Sequence, residues 1–353
     1  MNSGRCFLED TMQSEAIPRE KGVDFIKAVA ICWVLLIHCC WYNDPVGSFQ
    51  WDSALFWGSL ARPAVPLFLM CSGVLMLNPA RELTLRRLFL RSIPRLLLAM
   101  WFWGFLYKLP YTGLHPASLW QAVKEVLCFQ QEFHFYYIHM CLLLYLCLPP
   151  LQDLTAEKKP ERTTWVLGLW FAFGILYPTL RAFWPFTLLG GMAPQYQINM
   201  TWACLGYALL GRTLWDRPLP VWASLLLYLA GLALNLGGTW ALSLRDGVLN
   251  GILQEGMGFP VCLMTAGAFG LLRRAGERVQ GKAAAGAEFL SRGSFCVYLS
   301  HILFLYLFRH FGITQALAPR LISIPLLAAM LLAGSLGLYW VLRRIPVVNH
   351  WLI

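Results

Sequence analysis

Charge is scarce in this chain. Asp, Glu, Lys and Arg make up 13% of its 353 residues, about half the share of a soluble domain, which excludes a large solvated surface. No pair of cysteines has the CxxC spacing, although there are 11 Cys. They are scattered, several inside apolar stretches (Cys32, Cys71, Cys204, Cys262), where a thiol behaves as a small apolar group. Neither a disulfide frame nor a zinc site is expected. Also missing are a soluble-type nucleotide-binding motif, an internal repeat and any low-complexity segment beyond the Ala/Gly-rich linker Gly281–Ala287. The first apolar stretch has no small-residue cleavage site after it, so it reads as an uncleaved helix and not as a signal peptide.

What remains is apolar mass. The chain is 58% hydrophobic, with 16 Trp and 22 Phe, and the mean hydropathy is +0.56. Spans of roughly 20 apolar residues fall at Val23–Trp41, Ala54–Leu77, Leu88–Leu109, Phe133–Leu151, Thr164–Leu180, Ile198–Leu214, Leu219–Leu236, Gly251–Leu272, Phe289–Phe308 and Leu321–Leu342. Gly237-Gly238 blurs the border between the seventh and eighth. The expected fold is an all-α integral membrane protein of about ten transmembrane helices. Residues 1–22 would be a cytoplasmic N-terminal segment, 23–345 one membrane domain and 346–353 a cytoplasmic tail.

The net charge of +10 does not mark a nucleic-acid binder, because the basic residues sit in short loops. With both termini cytoplasmic, 20 Lys and Arg fall on the inner side, including Arg81, Arg86, Arg87, Arg91, Arg95, Lys158, Lys159, Arg273 and Arg274. The outer side holds 6, namely Lys108, Lys124, Arg181, Arg245, Arg309 and Arg320. That asymmetry satisfies the positive-inside rule at every inner loop.

Two basic residues, Lys27 and Arg62, lie within spans. Ionisable groups at membrane depth cost about 2.5 kcal/mol or more each, so they mark functional positions. At about 100° per residue, Asp24, Lys27 and His38 share one face of the first helix, with Lys27 and His38 roughly 16 Å apart along it. An ion pair at the helix end with a snorkelling lysine accounts equally well for Asp24 and Lys27. His38, between apolar neighbours, has no such escape. It is either a hydrogen-bonded packing residue or a group that moves protons near neutral pH. The pattern alone does not separate acyl transfer from proton relay in a transporter.

The stretch VDFIKAVAICWVLLIH (Val23–His38) resembles the opening helix of the acyltransferase-3 family of integral membrane acyltransferases. That family has Asp, a basic residue three positions on, and His eleven after that; Asp24, Lys27 and His38 match, with Lys where Arg is usual. RPAVPLFLMCSGVLML (Arg62–Leu77) is similar to its second-helix block. RRLFLRSIPR (Arg86–Arg95) resembles its basic first inner loop. FHFYYIHMCLLLYLCLPPL (Phe133–Leu151) resembles an HxWFL segment, with Tyr136 in place of Trp. LSRGSFCVYLSHILFL (Leu290–Leu305) resembles a late block through Ser294, Tyr298 and His301. The likeness runs the length of the chain, in order, and is nearest to short O-acetyltransferases acting on surface polysaccharides.

The resemblance implies a membrane O-acyltransferase of the plasma (bacterial inner) membrane. Acyl-CoA, most simply acetyl-CoA, would be the co-substrate, and a sugar hydroxyl of a surface glycan or its lipid-linked precursor the acceptor. His38 would be base or acyl carrier, with Lys27 and Asp24 completing the catalytic set. Arg87, Arg91 and Arg95 would meet the donor's phosphates. Arg62, His134, Tyr136, Glu255, Ser294, Tyr298 and His301 would line the substrate side. A thioester is already activated, so no metal and no tightly bound cofactor is expected. Membrane lipids are the other expected partners, nucleic acid is not one, and a homo-oligomer is compatible with the sequence. The competing class is a transporter or exporter of a glycan or small amino acid.

Overall fold

The computed structural model describes residues 19–80, 84–112, 115–156, 160–192, 198 and 202–353. The expected N-terminal segment up to residue 18, Arg81, Lys158, Lys159 and most of the approach to the sixth span lie outside the described residues.

The described chain is helical. The first helix, α1 (Lys21–Cys39), packs against five others and buries Ile26, Ile31 and Leu35 completely. α2 (Phe49–Ala61) is capped by Ser48, whose hydroxyl accepts from Trp51 N at 3.3 Å. Arg62 and Pro63 interrupt the line before α3 (Ala64–Met76), and the two helices form one membrane span. α4 (Leu85–Arg87) runs through a π-helical turn, Leu88–Ser92, into α5 (Ile93–Thr112). The widened turn lies where the Pro94 ring meets the preceding turn, a common cause of such bulges. α6 (Pro116–Leu127) lies beside α5, tied by Lys108 Nζ to Glu125 Oε2 at 2.5 Å. That bond holds the Glu125 carboxyl below its ordinary range.

A 3₁₀ turn, Phe133–Phe135, leads into α7 (Tyr136–Leu146), and α8 (Leu148–Ala156) follows after a bend of 56° ahead of Pro149-Pro150. α9 (Pro160–Leu169) continues through a π stretch, Trp170–Leu176, into α10 (Tyr177–Leu180). α11 (Ala203–Asp216) and α12 (Val221–Asp246) follow. After a 3₁₀ turn, Gly251–Gln254, come α13 (Phe259–Arg278), α14 (Gly281–His310), α15 (Arg320–Leu342) and α16 (Pro346–Trp351).

Among the described residues, eight spans are long and apolar enough to cross a bilayer, or nine when the bent pair α7–α8 is taken as one span. The expected tenth is α11, whose 14 described residues reach about 21 Å. It is nonetheless central. A Cβ on Gly73 would lie 1.8 Å from Ala208 O, and one on Gly211 would lie 2.3 Å from Met70 O, so α3 and α11 touch backbone to backbone. Two sequence borders move. α12 runs straight through Gly237-Gly238, and Gly238 makes room for Leu253, which a Cβ would meet at 2.4 Å. The expected linker Gly281–Ala287 forms the first turns of α14, as its alanines favour.

Contacts between helix ends group them at two ends of the bundle. At one end Arg273 reaches Trp215 O at 2.6 Å and Arg274 reaches Leu219 O at 2.8 Å. There also Gln152 reaches Met76 O at 2.6 Å, Arg19 lies 3.7 Å from Glu288, and Arg95 reaches Ile353 O at 2.6 Å. This is the end that carries the basic loops. At the other end Arg320 pairs with Asp44 at 2.8 Å and Trp240 Nε1 donates to Asp52 at 3.2 Å.

Candidate active site

α1 carries His38 in its last turn, and α14 lays His301 against it with ring centroids 4.8 Å apart. The 3₁₀ turn ahead of α7 brings in His134, 6.3 Å from His38 and 5.3 Å from His301. His134 is 1% exposed and His301 0%; His38 is half-buried and borders a cavity of about 410 Å³. The cavity is shared with Arg62, Tyr42, Phe133, Tyr306 and Arg309, and it lies towards the end away from the basic loops.

Hydrogen bonding fixes the surroundings of the imidazoles. His301 Nδ1 sits 2.7 Å from Tyr298 O and 3.2 Å from Val297 O. Carbonyls only accept, so Nδ1 carries the proton and Nε2 keeps its lone pair. Nε2 is buried without a protein partner, as are both ring nitrogens of His134. Tyr298 Oη donates to His134 O at 2.6 Å and holds the turn in place. Tyr107 Oη spans the next turn of α14, donating to Leu299 O at 2.9 Å and accepting from Leu303 N at 3.2 Å. Three imidazoles with lone pairs in a buried pocket suit proton transfer to and from a hydroxyl. Among the described residues, no group of three or more His, Cys, Asp or Glu is arranged to hold a metal ion.

Arg62, at the break between α2 and α3, donates from Nη2 to Gln254 Oε1 at 2.6 Å. Gln254 in turn donates to Ser59 Oγ at 3.0 Å. Glu255, the neighbour singled out in the sequence, instead lines a second cavity of about 500 Å³ with Thr179 and Arg181. Tyr136 is 48% exposed and lines neither cavity. Ser294 stays with its own helix, donating to Ser291 O at 2.8 Å, roughly 10 Å along α14 from His301.

The inner half of α1 departs from the expected arrangement. Asp24 does not orient Lys27 by an ion pair. It accepts a two-pronged fork from Arg19, at 2.5 and 2.7 Å, the geometry for which a guanidinium outcompetes an ammonium. Lys27 is half-buried near Cys71 and Asp24, with no ion-pair partner among the described residues. The face between Lys27 and His38 is not polar throughout, because Ile31 is 0% and Val34 5% exposed there. Arg87 and Arg91 are exposed at the basic end, and Arg95 is bound to Ile353. The structure does not bring these three arginines to the histidine cluster.

Sequence reasoning missed Phe133, Tyr42 and Arg309, which line the cavity, and Gln254, the partner of Arg62. Arg309 had a signal: it follows His301 and Leu305 at helical spacing on α14.

No curated protein and no solved structure matches the chain. The family comparison does: residues 20–343 match the acyltransferase domain of one family, spanning the histidine cluster, the Arg62 break and every membrane helix described above. The chain therefore belongs to the acyltransferase-3 family and is a multi-pass membrane acyltransferase.

Proposed function

We propose that the protein is an O-acetyltransferase that moves an acetyl group from acetyl-CoA on the cytoplasmic side of a bacterial inner membrane to a sugar hydroxyl of a surface glycan or its lipid-linked precursor. The observation that carries this reading is that His38 and Arg62 border one cavity, with His134 and His301 packed against His38, far from the basic loops. His38 accepts the proton of the acceptor hydroxyl as that oxygen attacks the thioester carbonyl. The Arg62 guanidinium faces the oxyanion that develops, where a fixed charge does most for the transition state. Collapse of the tetrahedral intermediate breaks the carbon–sulfur bond, and the proton on His38 passes to the departing thiolate. His301 and His134 hold the ring of His38 in place.

Arg87 and Arg91, at the basic end, meet the donor's phosphates by charge-assisted hydrogen bonds, and Lys27 is the next cation along α1. Ile31 and Val34 must part for the thioester end of the donor arm to reach His38, whether His38 acts as base or takes up the acyl group with expulsion of the thiolate. The test is release of free thiol from acetyl-CoA by purified protein with a panel of sugar acceptors. Release that depends on the acceptor is the expected result. If no acceptor raises thiol release above donor hydrolysis, with acetyl-CoA or longer acyl-CoA, the proposal is wrong.

A further inference from the structure

Two guanidiniums border the cavity beside His38, Arg62 and Arg309, and among the described residues neither has a carboxylate in an ion pair. Arg62 Nη2 is spent on the neutral amide of Gln254 at 2.6 Å, and its Nε is buried without a partner. The Arg309 guanidinium lies over the Trp41 ring, 4.8 Å from its centroid. Three other cations at this end have carboxylates, while Lys124, like Arg309, lies over a tryptophan ring, 5.5 Å from the Trp120 centroid. Arg320 has Asp44 at 2.8 Å, Lys108 has Glu125 at 2.5 Å and Arg245 has Asp246 at 2.7 Å. One carboxylate stands near the mouth, Glu132, which accepts from Tyr306 Oη at 3.2 Å. Glu255 lines the other cavity, so at this one the two guanidiniums face a single carboxylate.

A guanidinium cannot shed its proton to relieve burial. The buried Nε of Arg62 therefore favours an anion, and Arg309, exposed at the cavity rim, adds a second positive charge that water and salt screen. The placement adds to this. Arg309 sits on the helix that carries His301, roughly 12 Å further along, and Trp41 follows His38 by three residues. A sugar ring held at Arg309 has the reach to present a hydroxyl to His38.

We propose that the acceptor carries an anionic group, a carboxylate or a phosphate, which Arg309 and Arg62 bind beside His38. This names the substrate class within the acyltransferase reading, but its binding arm does not depend on catalysis. Purified full-length protein is titrated calorimetrically with methyl β-glucuronoside, glucose 1-phosphate and methyl β-glucoside. At least one anionic ligand is expected to bind about tenfold to a hundredfold tighter than the neutral one, the scale of a charge-assisted hydrogen bond. That preference is expected to shrink with added salt and to fall towards parity in Arg309→Gln, with Arg309→Lys keeping part of it. A preference for the glucuronoside points to an acidic sugar; a preference for glucose 1-phosphate alone points to the phosphate of a lipid-linked precursor.

Equal binding of all three ligands overturns the proposal, and so does an anion preference that survives Arg309→Gln. If Arg309→Gln does not stay monodisperse, the salt dependence of the parent and the Arg309→Lys titration decide in the same way. Thiol release with neutral acceptors and no anion preference sinks the site while leaving acyl transfer standing. Anion binding without thiol release does the reverse.

Discussion

His38 and His301 are expected to act as a unit, and a double-mutant cycle reads this directly. His38 already borders open space, so His38→Ala enlarges a cavity without sealing a void and costs about 1 kcal/mol of stability. Its loss of turnover is on the order of a hundredfold to ten-thousandfold, the scale for removing a general base. His301 is 0% exposed and bonds its own helix through Nδ1 at 2.7 Å. His301→Ala therefore costs more stability, roughly 1–3 kcal/mol. Its effect on turnover comes through the aim of the neighbouring ring 4.8 Å away, where a displacement of about 1 Å costs up to a hundredfold. Once His38 is gone there is nothing left to aim, so the double variant should be no slower than His38→Ala alone. The assay is thiol release per monodisperse molecule, with melting temperature as the folding control. Losses that multiply would show two independent roles. Near-normal turnover in well-folded His38→Ala would refute the assignment of His38 altogether and favour transport as the activity.

Further outcomes are as specific. Arg87→Gln and Arg91→Gln should raise the KM for acyl-CoA more than they lower kcat, with marked salt dependence in the parent; Arg95→Gln should in addition lower the melting temperature, because it loses the bond to Ile353. An unchanged KM would leave Arg87 and Arg91 as topology signals only. Gly73→Ala should force α3 and α11 apart by roughly 1.5 Å to reach van der Waals distance and cost about 1–3 kcal/mol or more; an unaltered melting temperature would contradict the backbone contact at Ala208. The exposed Cys128 should react with an impermeant maleimide on intact cells, and Ala80→Cys or Gly286→Cys only after permeabilisation. The opposite labelling would reverse the membrane orientation and move the donor site.

Membrane class and span positions were legible because they depend on one-dimensional quantities, hydropathy and the placement of Lys and Arg. The same quantities misled at α12, where a Gly-Gly pair looks like a break until Leu253 is seen packed on it. The common face of Lys27 and His38 followed from helical period alone. What fills that face did not, because Ile31 and Val34 are apolar residues whose burial depends on neighbouring helices. His134 and His301 could be picked out singly, but their approach to His38 is made by helices distant in sequence. Asp24 shows the limit of spacing rules: Lys27 is one turn away, yet the partner is Arg19, which lies before the helix and is free to wrap back. At the 3₁₀ turn Gly251–Gln254, an offset of one residue decides between Gln254 and Glu255, and no period fixes it.

The buried pair Ile31 and Val34 bears on a problem outside the chemistry. A membrane that stores energy as an ion gradient is short-circuited by any continuous column of water and titratable groups through a protein embedded in it. α1 carries such groups in both halves, at Asp24 and Lys27 and again at His38. The dry stretch between them acts as electrical insulation, since an ion entering it would lose its hydration with nothing to replace it. In the proposed reaction what enters that layer is the thioester end of the donor's pantetheine arm, and that part of the donor carries no charge.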